Sequence, residues 1–129
     1  MLKTFIITLV VFGILDALWL GVLSGNLYKN TIRNIQNSPL SLRLFPAAVA
    51  YILMALSVTL FIEKKVVKSK KDALFWGSVL GLIIYGIFNG TNNAILKEWN
   101  LTTSLYDTLW GTFLFTLTTY TVFQLKNLF

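Results

Sequence analysis

Four long apolar stretches constrain this chain more than any other feature. They run over residues 4–23, 42–62, 73–96 and 103–125. Each is about 20 residues long, the length an α-helix needs to cross ~30 Å of hydrocarbon. The pattern predicts an all-α polytopic membrane protein, with four transmembrane helices in a single domain over residues 1–129.

The charge supports this reading. The five acids and eleven bases are bunched between the apolar stretches, and more than half of all residues are apolar. Five of the eleven bases, Lys64, Lys65, Lys68, Lys70 and Lys71, fall in one connection. That placement follows the positive-inside rule and favours anionic lipid head groups, so the net charge of +6 points to membrane lipids as partners and not to nucleic acid. There is no cysteine and no histidine. Disulfides, thiolate chemistry, the usual metal ligand and the usual general base are therefore excluded, and neither a metal site nor a cofactor is expected.

The first stretch follows Lys3 and contains Asp16. A cleaved signal peptide is the alternative, but the apolar run is long and no small-x-small cleavage site follows. Residues 24–41 are polar, yet Leu27, Tyr28, Ile32 and Ile35 recur at helical spacing. They read as a short helix in the membrane interface or as an ordinary polar loop. Pro39 and Pro46 mark the entry to the second stretch, in which Ala47, Ala48, Ala50 and Ala55 offer small faces.

The third stretch carries two small-xxx-small pairs, Gly77/Gly81 and Gly86/Gly90, which predict helix packing. Gly77, Gly81, Tyr85, Asn89 and Asn92 share one helical side, with Leu80, Ile83, Ile84 and Ile87 opposite. This helix is expected to be the most buried of the four. In the fourth stretch Asp107, Gly111, Leu114 and Thr118 share a face. Lys3, the Lys64–Lys71 connection and Lys126 fall on one side of a four-span chain, against Lys29, Arg33, Arg43 and Lys97 on the other. The richer side is expected to be cytoplasmic, with both termini.

With that orientation Asp16, Asn89, Asn92, Asn93 and Asp107 all fall in the outer half. A carboxylate at the centre of a span costs roughly 2.5–3.5 kcal/mol, so an intramembrane acid needs a partner or a proton. The nearest candidate partners are the three amides, with Lys97 one turn beyond Asn93. Trp19 and Trp110 each follow an Asp by three residues, and the deeper Trp110 needs an acceptor for its indole N–H, such as a carboxylate. Trp76 and Trp99 read as interfacial anchors. The candidate site is Asp16, Trp19, Tyr85, Asn89, Thr91, Asn92, Asn93, Asp107 and Trp110. The bland alternative is that these groups only hold helices together, at about 0.6 kcal/mol per bond.

Three ordered motifs carry a resemblance. They are Asp16-Ala-Leu-Trp19-Leu-Gly21, Phe88-Asn89-Gly90-Thr91-Asn92 and Asp107-Thr-Leu-Trp110-Gly111. The chain resembles the domain of unknown function 2177 family, small predicted membrane proteins with four spans. The resemblance implies that architecture and that site, and assigns no activity. Asn89 departs from it, because the family usually has Asp there.

The expected role is an outward-facing polar pocket that binds or moves a small polar solute, proton or lipid head group. Asp16 and Asp107 would be proton acceptors or cation ligands and the amides would orient the ligand. A lipid-modifying enzyme, with the two acids as general acid and base, is the rival. A third reading is an accessory subunit packed on a larger membrane partner, and a homo-oligomer fits any of the three.

Overall fold

The computed structural model describes residues 1–128, and every regular element in them is helical. Helix α1 covers Leu2–Leu18 and runs into a π-helical turn, Trp19–Leu23. Helix α2 spans Gly25–Gln36, α3 Leu44–Glu63, α4 Lys70–Ile95 and α5 Leu101–Lys126. Local chemistry sets the ends. The Ser69 hydroxyl accepts from the Asp72 amide at 3.1 Å while the Asp72 carboxylate accepts from the Lys68 amide at 3.0 Å, which opens α4. The Asn100 side chain accepts from the Thr103 amide at 2.8 Å and opens α5. Asn37, at φ 56°, closes α2 in the left-handed conformation that Asn tolerates. Pro46 lies in the first turn of α3, where its missing N–H costs nothing.

Three segments, Leu2–Leu23, Leu44–Glu63 and Lys70–Ile95, are long and apolar enough to cross a membrane. Helix α5 matches α4 in length, 26 residues each, but its threonines and Asp107 lower its apolar content below theirs. Composition thus supports three spans where four stretches suggested four. The reason is that α5 presents its polar side inward. Its buried residues include Thr103, Ser104, Asp107, Thr118 and Thr119. Several of its hydroxyls bond back along the helix, Thr112 to the Thr108 carbonyl and Thr116 to the Thr112 carbonyl.

Helix α1 has an inverted pattern, with Thr4, Thr8, Phe12 and Asp16 buried and Ile6, Val10, Ile14 and Leu18 exposed. An inside more polar than its outside is expected of a helix whose surroundings are hydrocarbon. The closest pair is α4 with α5. A Cβ on Gly77 would meet the Phe115 carbonyl at 2.8 Å, and one on Gly81 would meet the Gly111 carbonyl and the Thr112 Cα. A Cβ on Gly111 would strike the Tyr85 ring. These three glycines let the two helices approach backbone to backbone. Gly86 and Gly90 do not pack in this way, since a Cβ on either meets nothing within 4 Å. The most buried helix is α5 and not α4, because α5 touches α1, α2, α3 and α4. Leu80, expected on the outer side, is buried. Helix α1 packs on α5 and α3, with the Phe12 and Phe115 rings edge to face at 4.9 Å. At the far end the Met1 amine lies 3.8 Å from Glu63, which also accepts from the Thr4 hydroxyl.

Gly81→Leu should separate α4 from α5 and lower stability by about 1–3 kcal/mol, the usual cost of overpacking. Gly86→Ala and Gly90→Ala should stay within about 0.5 kcal/mol of the parent or gain slightly from helix propensity. Thermal unfolding in a mild detergent distinguishes the two classes. An unchanged melting temperature for Gly81→Leu would contradict the seam.

Candidate functional site

Asp16 and Asp107 sit at the end of the molecule where α1 meets its π-helical turn and α5 begins. They are 7% and 6% exposed, so both carboxylates depend on protein groups and not on solvent. Asp16 lies one turn from the end of α1. Its Oδ1 accepts from the Trp110 indole N–H at 3.0 Å and its Oδ2 accepts from the Tyr51 hydroxyl of α3. The Oδ1 of Asp107 accepts from the Tyr28 hydroxyl of α2 at 2.5 Å, and its Oδ2 from the Asn89 amide of α4 at 2.7 Å. Every carboxylate oxygen therefore has a donor, and the four donors come from four different helices.

Two further contacts extend the arrangement. The Trp19 indole N–H donates to the Tyr28 oxygen at 2.8 Å, and the Trp99 N–H donates to Asn89 Oδ1 at 3.2 Å. An indole nitrogen can only donate. The Tyr28 oxygen must therefore accept from Trp19 and pass its own hydrogen to Asp107. In the same way Trp99 fixes the orientation of the Asn89 amide, whose NH2 faces Asp107 and also reaches the Tyr85 carbonyl at 2.9 Å. Trp19 and Trp110 stack in parallel with ring centroids 4.6 Å apart, which links the two carboxylate clusters.

The groups enclose a cavity of about 620 Å³. Asp16, Asp107, Trp19, Tyr85 and Trp110 line it, with Leu53, Met54, Ile84 and Phe88 among its apolar walls. Asn89 stands behind Asp107, and Tyr28 and Trp99 also reach the cavity. The other expected residues lie elsewhere. Asn93 is exposed and donates to the Trp99 carbonyl at 3.0 Å, bracing the α4–α5 connection. Thr91 is exposed and Asn92 half-buried, and neither side chain makes a hydrogen bond among the described residues. Lys97 forms no salt bridge to either acid among the described residues. Tyr28, Tyr51 and Trp99 were not in the expected site. Trp99, read as an anchor, is buried; Trp76 packs edge to face on Phe61 and Phe75. The described residues hold no group of three or more His, Cys, Asp or Glu that could bind a metal ion.

Burial first, and then the bond to Asp107, push the Tyr28 phenol above its ordinary value of 10.0. Its folded form therefore keeps the proton more tightly than the unfolded chain, so its contribution is complete below about pH 10 and fades as the pH rises further. Tyr28→Phe should cost about 1.5–3 kcal/mol at neutral pH, the range for a bond to a charged group. It should also lose less stability above pH 10 than the parent does. Combined with Asp107→Asn the cost should be less than additive. Additivity within ~0.3–0.5 kcal/mol in a thermal-unfolding cycle would show that the two groups act independently.

No curated protein and no solved structure matches the chain. A family model described as "Predicted membrane protein (DUF2177)" matches residues 1–124, nearly the whole length and all of the carboxylate site. The chain belongs to this family of predicted membrane proteins.

Proposed function

We propose that this is a four-span integral membrane protein whose pocket holds the polar head of a membrane amphiphile. Helix α5 is the fourth span, α2 lies in the outer interface, and both termini and the Lys64–Lys71 connection are cytoplasmic. The base count supports the orientation. The observation that carries the function is a cavity of about 620 Å³ with hydrocarbon walls and two carboxylates. Such a division of polarity matches a molecule with a polar head and an apolar tail. Leu53 and Phe88, both more than half exposed, edge the cavity and would let a tail pass sideways into the bilayer.

A conduction path fits less well. One turn below Asp16 and two below Asp107, Phe12, Ala55, Leu114 and Phe115 are fully buried, followed by Val58, Ile62 and Val122. That packed layer separates the pocket from the cytoplasmic end.

Two measurements test the reading. The chain has no cysteine, so single cysteines at Asn30, Ser69 and Asn100 report topology through an impermeant thiol reagent in intact cells. Labelling at Asn30 and Asn100 alone is expected, and labelling at Ser69 alone would reverse the orientation. Native mass spectrometry of the purified protein should show one retained amphiphile per chain. Met54→Trp, which fills the cavity, should abolish that retention while circular dichroism stays unchanged. Parent protein that retains nothing would refute the binding role.

A further inference from the structure

We infer that the head group this pocket accepts is cationic, an amine or quaternary ammonium on an apolar tail. The inference rests on the amphiphile-binding reading above and names the chemistry of its ligand.

Among the described residues the cavity has no basic side chain in its lining, and its charged groups are Asp16 and Asp107. Apart from the Tyr85 hydroxyl, its side-chain donors are spent. Trp110, Tyr51, Tyr28 and the Asn89 amide all point at the two carboxylates, and Trp19 and Trp99 donate into the same network. The direction of these bonds is set where an indole starts the chain, and Asp107 accepts on both oxygens. Each carboxylate oxygen has a second lone pair, so the pocket offers several acceptors against one uncommitted donor among the described residues, the neutral Tyr85 hydroxyl. An anionic head would meet two acids and, among the described residues, only the neutral Tyr85 hydroxyl to bond it. A neutral hydroxyl would find acceptors but leave the negative charge uncompensated in a medium where that is costly. A cation supplies the missing counter-charge.

The walls add a second, independent reason. Trp19, Trp99, Trp110, Tyr85 and Phe88 line the cavity beside the acids. Aromatic faces next to a carboxylate attract ammonium groups, at about 2 kcal/mol or more when the site is dry. A bare calcium or magnesium ion fits poorly, since it takes six or more oxygen ligands and no group of three acids exists among the described residues. An ammonium with hydrocarbon attached satisfies charge, aromatic face and apolar wall together.

The test uses the full chain in neutral maltoside micelles. Three probes share one chain length and carry bromine at the end of the tail: an alkyl trimethylammonium, an alkyl alcohol and an alkyl phosphate. Bromine in the cavity quenches the tryptophans that line it, and saturation at one probe per chain is read by native mass spectrometry. The ammonium should bind at least about ten-fold more tightly than the alcohol, equivalent to ~1.4 kcal/mol, and the phosphate should be weakest. Asp107→Asn should erase the preference for the ammonium over the alcohol. Asp16→Asn serves as the second variant should Asp107→Asn fail to fold. Equal binding of alcohol and ammonium, or tightest binding of the phosphate, would overturn the cationic head group while leaving an amphiphile pocket in place. Saturable binding of none of the three would overturn both readings. Ammonium selectivity that survives both substitutions would also overturn the assignment, because the charge would then not be the source.

Discussion

A carboxylate removed from water has to be surrounded by donors, and this fold is arranged to meet that need twice. Asp16 belongs to α1, but its donors come from α3 and α5. Asp107 belongs to α5, and its donors come from α2 and α4. Two short side chains therefore fix the relative register of all five helices. Dispersion and small-residue packing could bring the same helices together in neighbouring registers, since lipid tails are as apolar as leucine. A one-turn slip would leave an acid without its donors, at a cost of several kcal/mol for a buried charge. The polar groups thus specify one arrangement among several that packing alone would allow.

The interior divides along its length for the same reason. Toward the cytoplasmic end of the proposed topology the helices meet through Phe12, Ala55, Val58, Leu114 and Phe115, and through Gly77 and Gly81 pressed on α5. Many hydroxyls there bond to their own helix, as Thr8 does to the Thr4 carbonyl and Thr59 to the Ala55 carbonyl, while Ser78 with Thr116 and Thr4 with Glu63 bond across. In that half the buried Thr118 and Thr119 hydroxyls have no hydrogen-bond partner among the described residues. Toward the other end the helices separate enough to leave the cavity, and polar side chains make bonds between helices instead. The close α4–α5 seam stops at Gly111 because Tyr85 fills the space above it. The wide end is a consequence of where the glycines cease to pack.

Much of this was legible in the residues and some was not. Asp16, Asn89 and Asp107 stood out because polar side chains in apolar stretches are expensive. Trp110 stood out because its depth left an N–H to satisfy, and a carboxylate does satisfy it. Tyr51 gave no signal, since a tyrosine within an apolar stretch is equally at home in a core or at an interface. Tyr28 was visible only as part of a helical pattern in a polar segment, with Thr31 on the same side; the Thr31–Thr103 contact of 2.8 Å shows which side faces α5. Trp99 was misread because proximity to an interface explains a tryptophan as well as a buried partner does. Gly86 and Gly90 were misread because glycine spacing marks a face without saying whether a neighbour reaches it.

Asn89 carries the most specific consequence of this geometry. In the resembled family an Asp usually stands there, and this chain has the amide. Its Oδ1 receives Trp99 and its NH2 lies 2.7 Å from Asp107. An Asp at 89 would still accept from Trp99, but its other oxygen would face a carboxylate oxygen at hydrogen-bond distance. Two like charges that close cannot both persist, so the pair would have to share a proton. The amide supplies that hydrogen permanently. What would be a proton-sharing pair in a chain with Asp becomes a fixed donor and a single acid here, so Asp107 has no acid at 89 with which to share a proton.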